Sequence, residues 1–176
     1  MAEEERKELL AIARRAATRY VLDGKLPLET PSFRKLASPG AAFVTLTCEG
    51  RLRGCIGFTE AAFPLYKTVQ ECAVAAATED PRFSPVEPAE LSAIHIEISV
   101  LTPMVPVRPE EVKVGVHGLM VRKGVRRGLL LPQVAAEYGW DRRTFLSKVC
   151  SKAGLPAEEW RKDVDLYAFT AEVFGE

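Results

Sequence analysis

The sequence is poor in the residues that build metal centres. It holds only two histidines, His95 and His117, and four cysteines, Cys48, Cys55, Cys72 and Cys150. A multi-histidine centre is therefore impossible within one chain. No cysteine stands in a CxxC pair, and the spacings match no zinc module. No metal site and no cofactor are expected. Net charge is lacking too: 24 basic side chains face 24 acidic ones. That argues against a nucleic-acid partner held by bulk positive charge. Apolar runs fall far short of the ~20 residues a membrane helix needs, so no membrane role is expected. The first residues, Met1-Ala2-Glu3-Glu4-Glu5-Arg6-Lys7-Glu8, are too charged for a signal peptide. A reduced, cytoplasmic chain is the simplest expectation. Internal repeats, Walker loops, GxGxxG, HExxH and GxSxG motifs are also missing.

What remains is an ordinary globular mix of 176 residues, 47% hydrophobic and 27% charged. That length fits a single domain over residues 1–176, with room for a small appended lobe. Such a chain buries roughly 70% of its unfolded surface and needs no covalent staple.

Residues 3 to 22 carry Leu9, Leu10, Ile12, Ala13, Ala16, Ala17 and Tyr20 at helical spacing, and Asp23-Gly24 closes the run. A proline-rich loop follows. Ala42–Cys48 and Arg51–Phe58 read as a hairpin about a Glu49-Gly50 turn. Pro64 opens a helix reaching Thr78. Ala93 to Leu101 alternates cleanly, with Ile94, Ile96, Ile98 and Val100 on one face and His95, Glu97 and Ser99 on the other. Val114–Val121 and Gly128–Leu131 read as strands around a basic turn, Arg122 to Arg127. Two helices follow, at Pro132–Tyr138 and from Asp141 to Gly154. Leu166–Phe174 reads as one last strand, an exposed edge that could serve as a homodimer seam. These runs make no regular βαβ units. The expected fold class is α+β, a mostly antiparallel sheet flanked by helices, with a smaller subdomain.

Arg51-Leu52-Arg53-Gly54-Cys55-Ile56-Gly57 is the most unusual segment. Two glycines weaken a strand and often mark a bulge or a close backbone approach. A two-residue turn at Glu49-Gly50 places Cys55 opposite Val44 and Arg53 opposite Leu46, with Leu52, Ile56, Phe58 and Phe43 on the core face. Arg53 and Cys55 then share one side of the strand, where a guanidinium favours the thiolate, the nucleophilic form. The competing reading makes Cys55 a small buried hydrophobe. His117, between Gly115 and Gly118, could pair with Cys55 if their strands adjoin. Glu97 is the carboxylate that could orient a histidine if its face lines a cleft; solvent exposure is the plainer account. Asp80 could simply cap backbone amides in the turn after the helix, and Arg82 could instead add charge to an anion site.

The string Leu52-Arg53-Gly54-Cys55-Ile56-Gly57 resembles the LRGCIG signature of the AMMECR family. The resemblance continues through Asp80-Pro81-Arg82-Phe83-Ser84-Pro85, Glu97–Thr102, Gly115–Leu119, Leu130–Val134, Trp140 and Lys152–Leu155, and so covers nearly the whole chain. It implies an α+β domain with a smaller subdomain and leaves the activity unassigned. By family association it implies Memo-like and radical SAM companion proteins. Carried over by motif, the site residues are Arg53, Gly54, Cys55, Gly57, Asp80, Arg82 and His117, with Glu97 less securely. Two functions fit. One is a cysteine-dependent enzyme acting on a small or peptide substrate, with Cys55 as nucleophile, His117 as acid/base and Glu97 or Asp80 as orienter. The other is a non-catalytic module docking a partner protein or an anionic ligand on the glycine-rich strand through Arg53 and Arg82.

Overall fold

The first helix, α1 (Glu3–Asp23), buries Leu9, Ile12, Ala13, Ala16 and Ala17 on one stripe and ends at Gly24. The computed structural model describes residues 1–176. After a loop with one 3-10 turn come β1 (Ala41–Cys48), β2 (Arg51–Phe58), α2 (Leu65–Thr78) and β3 (Ile94–Leu101). The order continues with β4 (Val105–Pro106), β5 (Gly118–Lys123), β6 (Arg126–Leu130), α3 (Pro132–Glu137), α4 (Arg142–Lys152), β7 (Asp165–Phe169) and β8 (Ala171–Gly175). The fold class is α+β, as the element pattern implies. No helix is long and apolar enough to cross a membrane.

The chain divides into two compact units, Met1–Leu101 with Glu172–Glu176, and Thr102–Ala171. In the first, the strand order is β2-β1-β3-β8, with β1 antiparallel to both β2 and β3. Helices α1 and α2 cover one face of this sheet. Their alanines, Ala13 and Ala16 on α1 and Ala73 and Ala76 on α2, lie in the core with Val44, Leu46, Ile96 and Ile98. Small side chains let the two helix backbones come close, and the branched strand residues fill the space beneath.

In the second unit the strand order is β4-β7-β5-β6. Helix α4 supplies Phe145, Leu146, Val149 and Cys150 to a core with Leu119, Val121, Leu166 and Ala168. The Asp141 carboxylate caps α4, accepting from the Thr144 N–H at 2.7 Å.

Three sequence expectations change. Val114–Val121 is strand only from Gly118 onward, residues 114–116 forming a turn instead. Leu166–Phe174 is not one strand: Thr170 breaks it, and its halves belong to different sheets. Thr102 takes over there, its N–H donating to the Thr170 carbonyl at 2.9 Å while its hydroxyl accepts from the Thr170 N–H at 2.9 Å. Of the two halves only β8 is an edge strand; β7 lies between β4 and β5. The basic segment from Arg122 to Arg127 is mostly strand, with the turn confined to Gly124-Val125.

Candidate functional site

The β1–β2 hairpin turns on Glu49 and Gly50, at φ 50° and 75°. Positive φ at both turn residues is the type I′ geometry whose twist matches paired strands. Cys48 faces Arg51 and Thr47 faces Leu52, as a two-residue turn requires. The register then slips by one, and Leu46 pairs with Gly54. Arg53 is the extra residue of a β-bulge.

That bulge overturns the expected faces. Beyond it, Thr45 rather than Val44 lies opposite Cys55. Gly54 and Ile56 face the helices with Leu46 and Val44, while Leu52 and Phe43 fall on the side of Cys55. A one-residue slip moves every later side chain to the other face. The bulge is tied to packing. A Cβ on Gly54 would sit 2.0 Å from the Ala76 carbonyl oxygen, so α2 can lie on this strand only over glycine. At Gly57 a Cβ would meet the Phe43 ring at 2.2 Å, because that ring lies across the glycine.

Arg53 is consumed by the bulge. Its Nε and Nη2 donate to the two Glu90 carboxylate oxygens at 2.7 and 2.9 Å. Nη1 donates to the Ser84 carbonyl at 2.8 Å and Nη2 also to the Pro85 carbonyl at 3.2 Å. The side chain is 15% exposed. All three guanidinium nitrogens thus fasten the segment after α2 onto the sheet. Hydrogen bonds from Arg53, foremost, bring the Glu90 carboxyl down to about 2.

Asp80 makes the second fastening. Its Oδ2 accepts from the Cys55 backbone N–H at 2.8 Å and from Arg82 Nη2 at 2.7 Å. Oδ1 accepts from Arg82 Nε at 2.9 Å and from the Arg82 N–H at 3.1 Å. Arg82 Nη2 also reaches the Cys55 carbonyl at 3.4 Å. Asp80 is only 4% exposed. The Arg82 guanidinium holds its carboxyl well below the usual carboxylate range, with burial opposing and the two backbone N–H donors adding. Because β2 is an edge strand, the outward N–H and C=O of Cys55 have no strand partner. Asp80 and Arg82 supply one, a standard way to blunt a sheet edge.

The Cys55 side chain lies on the sheet face away from the helices, half-buried. Residues whose N–H and C=O point outward form the closer cross-strand pairs. Accordingly the Thr45 hydroxyl donates to Cys55 Sγ at 3.3 Å. Thr45 also pairs with Glu97 on β3, and Thr47 with His95. Cys55, Thr45 and Glu97 therefore form one row across three strands, with Glu97 exposed at its far end. At about 5 Å per strand, Cys55 and Glu97 stand about 10 Å apart along the backbone.

Seven of the eight residues singled out from the sequence lie in the first unit. Arg53, Gly54, Cys55, Gly57, Asp80 and Arg82 gather on or beside β2, and Glu97 joins them through Thr45. His117 belongs to the second unit. It lies before β5, in a turn where Gly115 takes φ 79°, and its Nδ1 accepts from the Lys113 N–H at 3.3 Å. Sequence reasoning missed Thr45 and Glu90. Thr45 becomes visible only once the bulge is known; Glu90 is 37 residues from its partner. The other thiols differ in kind. Cys72 is fully buried, which pushes its thiol up to about 12, and burial also raises Cys150. Cys48 is half-buried like Cys55.

The AMMECR1 family model matches residues 10–174. Protein MK0488 of Methanopyrus kandleri is 45% identical over 184 residues, covering 98% of this chain and 89% of its own. A protein of Aeropyrum pernix is 46% identical over 179 residues, covering 96% of this chain and 77% of its own. The crystal structure of the uncharacterized protein PH0010 from Pyrococcus horikoshii is similar at a TM-score of 0.92 and 42% identity, covering all of this chain and 93% of that one.

Proposed function

This chain belongs to the AMMECR1 family, and from that premise we propose that its signature strand carries a thiol site, with Cys55 the nucleophile of a group-transfer reaction. The observation that carries this reading is the hydrogen bond from the Thr45 hydroxyl to a half-buried sulfur. That bond fixes the direction of the sulfur on the face of the sheet away from the helices. The backbone on either side is fixed by Asp80 and Arg82, so the sulfur is held in place before any substrate arrives. In the reaction the thiol proton passes to water, a sulfur–carbon bond forms at an electrophilic carbon, and the leaving group departs with the electron pair. Glu97, paired with Thr45 in the same row, would contact a substrate lying across the sheet.

The alternative is a docking strand. Arg53 spends four of its five N–H donors on the chain itself, so an anionic partner would rest on Arg82, whose side chain is 53% exposed. Arg53→Ala does not separate the two readings, because it releases the Ser84–Glu90 segment whatever the function. The separating experiment is iodoacetamide labelling at neutral pH, read cysteine by cysteine. Cys48 is the internal control, being half-buried without a hydroxyl donor to its sulfur. The thiol site requires Cys55 to label ahead of Cys48, and Thr45→Val to slow it about fivefold, the worth of one hydrogen bond. Equal labelling of Cys48 and Cys55 would remove the nucleophile and leave docking.

A further inference from the structure

The zero net charge of the chain is a cancellation. The second unit carries 12 basic and 8 acidic side chains, a net of +4, and the first carries 12 basic and 16 acidic, a net of −4. An excess confined to one unit is an electrostatic footprint that a whole-chain sum hides. The positive unit also presents a stacked ring pair. Tyr138 and Trp140 lie with centroids 5.1 Å apart and planes 17° from parallel. Tyr138 is 69% exposed, whereas Trp140 packs against the core of its unit.

The pair is held rigidly by the way α3 ends. The Gly139 N–H donates to the Ala136 carbonyl at 3.1 Å and the Trp140 N–H to the Ala135 carbonyl at 2.9 Å, with Gly139 at φ 61°. This is a Schellman cap, and it fixes both ring-bearing residues relative to the helix. Lys148 on α4 brings its ammonium 5.5 Å from the Trp140 ring centroid. The same lysine lines a depression of about 350 Å³ along α4 with Arg143, Thr144, Ser147 and Ser151. Glu158 borders it too, but Arg161 and Arg143 both face its carboxylate, at 2.6 and 3.7 Å.

We propose that this surface binds a nucleotide unit, the base stacking on the exposed ring of Tyr138 and the phosphate lying in the depression beside Lys148 and Arg143. A rigid aromatic platform next to exposed cations is the arrangement that holds a base and its phosphate without reading sequence. The hydroxyls of Thr144, Ser147 and Ser151 add donors for phosphate or ribose oxygens. The site is independent of Cys55. It accepts a nucleotide either free or as part of a single strand, since both present the same base and phosphate.

The test is an equilibrium titration of the full chain, followed by tryptophan fluorescence at low salt. Adenosine monophosphate is one ligand and a ten-residue adenylate strand the other. Saturation by the monophosphate supports a free-nucleotide site. Saturation by the strand alone supports a single-strand site. In either case Tyr138→Ala must weaken binding at least about fivefold. Lys148→Gln must lower the salt dependence of strand binding by about one phosphate contact. Tyr138 is exposed, so its removal leaves the fold intact, which circular dichroism checks. Failure of both ligands to saturate at millimolar concentration overturns the proposal. So does saturable binding that Tyr138→Ala leaves unchanged.

Discussion

The two compact units solve one packing problem in the same way and then diverge. Each has a four-stranded sheet with a tight hairpin whose second strand forms an edge, β2 in one and β6 in the other. Each edge strand has a glycine under a helix backbone. A Cβ on Gly54 would lie 2.0 Å from the Ala76 oxygen, and one on Gly128 2.5 Å from the Ala153 nitrogen. Each sheet also lays a phenylalanine over a facing glycine, Phe43 over Gly57 and Phe169 over Gly118. Aromatic cover of a strand glycine restores packing that the glycine gives up. The difference lies at the edge. On β2 the bulge at Arg53 and the Asp80–Arg82 pair anchor the segment after α2 and leave a cysteine facing outward. On β6 there is no bulge, and the strand carries Arg126 and Arg127 instead. Glycine in a strand therefore marks helix contact in both units, and in only one does a bulge beside it carry a carboxylate clamped to the edge strand.

The shared packing is the first place to challenge this comparison. Gly54→Ala and Gly128→Ala each drive a methyl group into helix backbone, and overpacking of that kind costs about 3 kcal/mol. Urea unfolding should show the larger loss at Gly54, where the contact is tighter.

The edge is the second place. Asp80→Ala removes the acceptor of the Cys55 N–H together with the partner of Arg82, and should cost about 2–3 kcal/mol. The buried carboxylate of the second unit, Glu159, pairs with Lys123 and Lys162 and accepts from no edge-strand N–H.

Acid sharpens the contrast. Glu90 has its carboxyl lowered in the folded protein, so it stabilises fully above its unfolded value of about 4.5 and loses that contribution as pH falls toward about 2. Glu90→Gln should flatten the stability–pH curve across that window. Asp80 acts in the same direction and loses its contribution further into acid.

The smallest effect belongs to the second unit. Arg122 and Asp165 pair at 3.1 Å with half of each side chain exposed. Asp165→Asn should cost less than about 0.5 kcal/mol by the same unfolding measurement.

Much of the fold was legible because local chemistry announces it. Glu49-Gly50 supplies a type I′ turn, Asp141 caps α4, and the alternation of Ile94, Ile96 and Ile98 survives as a buried row. Composition had nothing to say about parity. Gly54 pointed to a bulge or a close approach, and the structure has both, yet only the pairing shows that Arg53 is the inserted residue and that Cys55 faces Thr45. The split at Thr170 carries no glycine or proline, so the sequence reads there as continuous strand. The grouping of Arg53, Cys55, Asp80 and Arg82 was legible as motif, whereas the division of labour among them was not. Arg53 looked like a ligand-binding group, and it spends its hydrogen bonds on the chain itself; Asp80 does the capping that its place in the turn suggested.

The central claim is that Asp80 occupies the outward N–H of Cys55 and so turns an open sheet edge into a fixed platform. Amide hydrogen exchange at Cys55 reads this directly. The account predicts slow exchange in the native protein and fast exchange in Asp80→Ala, with the amides of β1 and β3 still protected. Fast exchange of the Cys55 amide in the native protein, at the rate of an unpaired edge, would contradict it.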